Sequence, residues 1–235
     1  MYFNILALFL LILSTPALAK EFKCSMAEGY APFQYLEKRE MKGLDVELVQ
    51  IFNEIGPHKI TLSSDKWDNL VSELYHTSGI DCLIGMEKTP SRLKIFKFSD
   101  TLYTRKSALI ILANSKIEKL KHLGARVVCG DKDSNLEYEI VNLSKVPIRM
   151  VYMETKEKCM KALASGVVAA AIMPKKVAHF LASKFKIEIR SILEAKKAMD
   201  VGFAFKKKGT LDLKDFNEQL KKVIQSMSYK SLIKK

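Results

Sequence analysis

The hydrophobic period of this chain switches back and forth between two and 3.6 residues, and that alternation limits what it can fold into. Residues 22–26 read as a short strand. Leu44, Leu48, Ile51, Phe52 and Ile55 then recur at helical spacing, and Gly56-Pro57 is a stop signal. Residues 59–63 are a second strand. Trp67, Leu70, Val71, Leu74 and Tyr75 make the apolar face of a second helix. Residues 80–85 are apolar almost without interruption, as expected of a parallel strand covered on both faces. Strand, helix, strand, helix, strand is the signature of an α/β unit.

The pattern then restarts. Strands are predicted at 107–112, 126–129, 148–153 and 168–172, with helices at 136–141, 159–164 and 177–184. One more strand follows at 202–205. Leu213, Phe216, Leu220, Val223 and Ile224 form a last amphipathic helix. No long linker or low-complexity stretch separates the two α/β units. Two compact units joined closely leave a cleft, and clefts between domains are preferred small-ligand sites.

The N-terminus departs from this pattern. Residues 5–13 are almost purely apolar and are followed by Ser14-Thr15-Pro16 and Ala17-Leu18-Ala19. A short apolar run ending in a small-x-small site reads as a secretory signal cleaved after Ala19. It falls short of the roughly 20 apolar residues a spanning helix needs. Residues 1–19 carry no charged side chain, so the whole formal charge of +13 belongs to the mature chain. The lysines are scattered, and the runs at 206–208 and 234–235 are short, so they read as solvated surface. Export and scatter together argue against a nucleic-acid partner.

Cys24, Cys82, Cys129 and Cys159 contain no C-x-x-C spacing, so neither a zinc site nor a redox motif is suggested. In an α/β unit of this order Cys24 and Cys82 fall on neighbouring strands, while Cys129 and Cys159 both fall in the second unit. Any disulfide is therefore expected within a unit, although a buried, reduced state is favoured because cysteine suits apolar cores. His58, His76, His122 and His179 show no metal-type spacing and are expected at the surface.

Four segments carry a resemblance. The first is Gly29-Tyr30-Ala31-Pro32-Phe33-Gln34-Tyr35, continued by Lys42-Gly43-Leu44-Asp45-Val46-Glu47-Leu48. The second is Trp67-Asp68-Asn69-Leu70-Val71. The third is Gly85-Met86-Glu87-Lys88-Thr89-Pro90-Ser91-Arg92 with Phe98-Ser99-Asp100-Thr101-Leu102-Tyr103. The fourth runs from Val201-Gly202-Phe203 to Gly209. In order and spacing they resemble the family 3 extracellular solute-binding proteins, the amino-acid-binding proteins of ABC importers, across nearly the whole mature chain.

The resemblance implies a two-lobed, type II periplasmic-binding-protein fold of the α/β class, with two crossing segments between the lobes. Lobe 1 would hold residues 20–104 and 200–235, and lobe 2 residues 105–199. Ligand would bind in the cleft, with closure by hinge motion.

The resemblance also implies a ligand set. Arg92 matches the carboxylate-binding arginine, whose planar fork can donate two parallel hydrogen bonds. Thr89 and Met86 lie in the same motif. Tyr30 and Trp67 match wall positions, where an aromatic face covers an aliphatic chain or meets a cation. Ser134, between a strand and a helix, is either a ligand hydroxyl or a helix cap. The segment 166–174 departs from the family pattern. Ala169 and Pro174 stand where the family has acids, and the second of those acids pairs with the ligand's α-ammonium. Glu87 replaces a small hydroxyl residue. It either supplies the missing negative charge or pairs with Arg92 and fills the site.

The expected function is capture, in the periplasm, of a small carboxylate-bearing solute by a monomer, an amino acid or a related compound, for delivery to an ABC permease at the inner membrane. No cofactor and no catalytic set are expected. Two alternatives remain: an accessory or sensory relative that no longer binds ordinary amino acids, and a dehydratase-type enzyme on the same fold.

Overall fold

A computed structural model describes residues 19–77, 79–132, 134–207 and 212–234. The predicted signal segment, apart from Ala19, lies outside the described residues, as do Lys208 and Lys235.

The first half builds β1 (Glu21–Ala27), three short strands β2 (Gly29–Tyr30), β3 (Gln34–Glu37) and β4 (Glu40–Lys42), then α1 (Leu44–Ile55), β5 (Lys59–Asp65), α2 (Trp67–His76), β6 (Cys82–Glu87), α3 (Pro90–Ile95), β7 (Phe96–Phe98) and β8 (Tyr103–Arg105). The second builds β9 (Ser107–Leu112), a 3-10 turn at Leu120–Leu123, β10 (Val127–Cys129), α4 (Asn135–Leu143), β11 (Arg149–Val151), α5 (Lys156–Ala164), β12 (Ala170–Pro174), α6 (Lys175–Phe185) and β13 (Ile189–Glu194). The chain then returns through β14 (Met199–Lys206), α7 (Lys214–Gln225) and α8 (Met227–Lys234).

These strands form two main sheets. One has the order β5-β1-β6-β14-β7, with β8 also on β14, and the other the order β11-β10-β12-β9-β13. In the first, β5, β1 and β6 are parallel and β14 is antiparallel to β6, so both ends of the sequence share one sheet. The chain passes between sheets twice, at Arg105–Ser107 and between Glu194 and Met199. The crossings are tied together, since Lys106 Nζ lies 3.2 Å from Glu194 and the Ala195 amide donates to the Ser107 carbonyl at 2.9 Å.

Aromatic packing closes the first core. Phe216 on α7 meets Phe22, Phe52, Phe203 and Phe205 with ring centroids 4.9 to 5.2 Å apart. Gln219, one turn later, donates to the carbonyls of Phe52 and His58 and accepts from the His58 amide. His58 is therefore buried, against the expectation that all four histidines lie at the surface: α7 closes over the end of α1 and covers it. Around the second sheet, one face is packed by Leu109, Ile111, Val128, Leu136, Ile140 and Ile172.

The cysteines pair within each unit, Cys24 with Cys82 and Cys129 with Cys159. This corrects the expectation of reduced thiols and agrees with pairing inside a unit. Cys24 and Cys82 sit opposite one another in the β1–β6 register with Cα atoms 4.5 Å apart, which is within bridging range.

Candidate functional site

The C-terminal ends of β1, β5 and β6 point toward the second sheet, which is where an open α/β sheet presents its crevice. Thr89 ends the segment after β6 and caps α3. Its hydroxyl accepts from the Arg92 amide, and Pro90 occupies the first turn, where a missing N–H costs nothing. That cap fixes Arg92 one turn on. The Arg92 guanidinium lies 5.7 Å from the Trp67 ring centroid, and its Nη1 is 3.5 Å from the Glu87 carbonyl. The described residues place no carboxylate within ion-pair distance of it.

Glu87 has a different partner from either of those the sequence suggests. Its Oε1 faces Arg105 Nε at 3.5 Å, with both side chains 4% exposed. Neither of those two atoms has a hydrogen-bond partner among the described residues, so the contact is ionic rather than a well-formed hydrogen bond. Burial pushes the Glu87 carboxyl up, and Arg105 is the largest influence pulling it back. Arg105 also donates from Nη2 to the Gly85 carbonyl at 2.7 Å. Its guanidinium stands 5.0 Å from the Tyr30 centroid and 5.3 Å from that of Phe33.

Gly85 has φ of 80°. A Cβ there would strike the Gln34 amide and the Asp45 carboxylate, so the backbone can pass only as glycine. Behind it Asp45 accepts from Tyr103 Oη at 2.7 Å and from Gln34 Nε2 at 2.9 Å. Phe33 and Tyr103 stack with planes 9° apart, completing a rigid floor under Arg105.

The second sheet contributes a second ion pair. Asp131, after β10, meets Lys156 Nζ at 2.6 Å, and the same ammonium is 6.0 Å from the Tyr30 centroid. Ser134 acts as the cap of α4, its hydroxyl accepting from the Glu137 amide at 3.2 Å. Pro174 ends β12 opposite Ser107 and caps α6 with no side-chain hydrogen bond.

The two sides touch at the rim. Lys66 pairs with Glu154 at 3.0 Å, Lys132 lies 3.7 Å from Asp68, and a Cβ at Gly29 would fall onto Thr155. A groove of about 460 Å³ borders this contact at Gly29 and Thr155, and another of about 410 Å³ runs along Phe33, Leu44 and Lys176, but Glu87 and Arg92 line neither.

Of the sequence-predicted residues, Tyr30, Trp67, Glu87, Thr89 and Arg92 come together at the end of β6 and the face it meets. Met86 does not. Its side chain is fully buried with Leu70, Leu74, Leu83 and Phe96; the pleat turns it away from its neighbour Glu87, and the register shift between β6 and β14 puts it on the same side as Leu83. Arg105, Asp131 and Lys156 are not among the site residues expected from the sequence. Arg105 lies just beyond the third recognised motif, and Lys156 is one basic residue among many.

The family model for bacterial extracellular solute-binding proteins, family 3, matches residues 22–235. A 99-residue stretch is 31% identical to the arginine-binding extracellular protein ArtP of Bacillus subtilis, covering 42% of this chain and 39% of that protein. The fold is similar to the arginine-, lysine-, histidine-binding protein ArtJ of Geobacillus stearothermophilus, with TM-score 0.80, 22% identity and coverage of 91% and 94% of the two chains. It is also similar to a histidine kinase sensor domain described as similar to periplasmic binding proteins, with TM-score 0.79, 17% identity and coverage of 91% and 94%. At such identities these structures speak for the fold alone, and that fold is the type II periplasmic-binding-protein fold.

Proposed function

Since the chain belongs to the bacterial extracellular solute-binding proteins, family 3, we propose that it captures a small carboxylate-bearing solute, an amino acid or a related compound, in the cleft between its two sheets and hands it to an ABC permease. One observation carries the reading. Among the described residues Arg92 presents a guanidinium beside Trp67 with no carboxylate in ion-pair range, whereas Arg105 and Lys156 are each matched by an acid. A planar fork held only by a long contact to a backbone carbonyl suits a solute carboxylate. In this reading lobe 1 comprises residues 20–104 and 200–235 and lobe 2 residues 105–199. Tyr30, Trp67, Glu87, Thr89, Arg92 and Ser134 contribute to the site. The protein is exported, cleaved after Ala19, and works as a periplasmic monomer.

A second reading, an accessory or sensory relative, draws on the same geometry. Glu87 and Asp131 already hold cations of the protein itself, so the cleft is partly satisfied without a solute. A thermal-shift screen of amino acids and small organic acids separates the two. A solute that binds the folded state raises the melting temperature, by the equivalent of about 2.7 kcal/mol at a hundredfold excess over Kd. At least one carboxylate is expected to do so. A panel that leaves the transition unmoved at millimolar concentration favours the accessory reading.

A further inference from the structure

The balance of charges at the cleft differs from what a cationic solute needs. Among the described residues Arg92, Arg105 and Lys156 approach it, with Glu87 and Asp131 as the acids that pair with them. Both acids are engaged, Glu87 with Arg105 at 3.5 Å and Asp131 with Lys156 at 2.6 Å, and all four side chains are largely buried. Pro174, which ends β12, adds no charge. Among the described residues one positive charge is therefore left over, on Arg92.

The aromatic faces are occupied in the same sense. A solute cation is commonly received on an aromatic ring. Here Tyr30 already has the Arg105 guanidinium at 5.0 Å and the Lys156 ammonium at 6.0 Å, and Trp67 has Arg92 at 5.7 Å. A lysine-like or arginine-like side chain entering the cleft would meet cations where it needs anions and rings. It would have to displace one of them or stay buried and unpaired, and both are costly. An anion meets the opposite situation.

We propose that the cleft selects its solute by charge, taking a compound of net negative charge such as a dicarboxylate or an acidic amino acid and rejecting cationic amino acids. The proposal rests on the carboxylate-capture reading and narrows it. It also sets this chain apart from relatives whose names carry arginine, lysine and histidine.

Calorimetric titration of the purified protein with succinate, L-glutamate, L-glutamine and L-arginine tests it. Succinate or glutamate is expected to bind at least about tenfold more tightly than glutamine and arginine, since like-charge juxtaposition suppresses wrong partners. Arginine or glutamine binding as tightly as both acids overturns charge selection and leaves carboxylate capture standing. Binding of none of the four overturns charge selection and leaves the capture reading to the thermal-shift panel.

Discussion

Asp45 lies fully buried in the first turn of α1, and its two hydrogen bonds join three pieces of the chain: Gln34 of β3, Tyr103 of β8 and α1 itself. Burial raises its pKa from the ordinary 3.8 to about 7, while the hydrogen bond from Tyr103 and the charge of Arg105 pull against that rise. A raised acid stabilises the fold fully below its unfolded pKa and loses that contribution as pH climbs through the folded one. Stability should therefore fall between about pH 4 and pH 7, by up to about 4 kcal/mol from this residue. Asp45→Asn should flatten that fall, which urea denaturation at several pH values would read. Parallel profiles for the two proteins would refute the assignment. Asp45 was visible in the sequence only as a motif letter. Its role as a girder behind the site was not, because nothing in the local sequence places Tyr103 above it. Arg92 and Trp67 were legible because they stand inside ordered motifs. Arg105, which decides what Glu87 does, stands outside them.

At the scale of elements, the alternation of periods located most long helices and strands to within a few residues. It missed β2, β3 and β4, for a reason that can be named. The β3–β4 hairpin turns through Lys38 and Arg39, with φ of 50° and 69°, so both central residues adopt the left-handed conformation that Asn-Gly normally signals. Lysine and arginine at a turn look like solvated surface. The same fact makes a prediction. Replacing Lys38-Arg39 with Asn-Gly should stabilise the protein by about 0.5–1 kcal/mol, since residues suited to positive φ relieve the strain there. A shift of the urea midpoint to higher concentration at constant slope would show it, and a shift downward would mean that the two basic side chains make contacts worth more than the turn. Strand β13 and helix α8 were missed as well. Each gets its order from distant partners, β13 by pairing with β9 and α8 by the Tyr229 hydroxyl donating to the Leu102 carbonyl.

For the whole molecule, each sheet carries its own disulfide, and the chain crosses between sheets only twice. Each bridge lies inside one unit and neither spans the crossings, so in the proposed capture any hinge motion falls to the crossings. The two-unit plan could be read from the repeated α/β pattern because it depends on hydrophobic period, which every residue of an element reports. Redox state could not, since spacing does not reveal that Cys24 and Cys82 share a register. The contents of the cleft were the least legible part, because charge pairing there joins residues from β6, β8 and α5 that are far apart in sequence. The central claim is that Arg92 holds the carboxylate of a captured solute. Its most direct test is calorimetric titration of wild-type protein, Arg92→Lys and Arg92→Ala with the tightest carboxylate found by thermal shift. The account predicts weaker binding in Arg92→Lys and a loss of roughly 2–5 kcal/mol in Arg92→Ala, with thermal unfolding of the free proteins unchanged. Equal affinity in wild type and Arg92→Ala would contradict it.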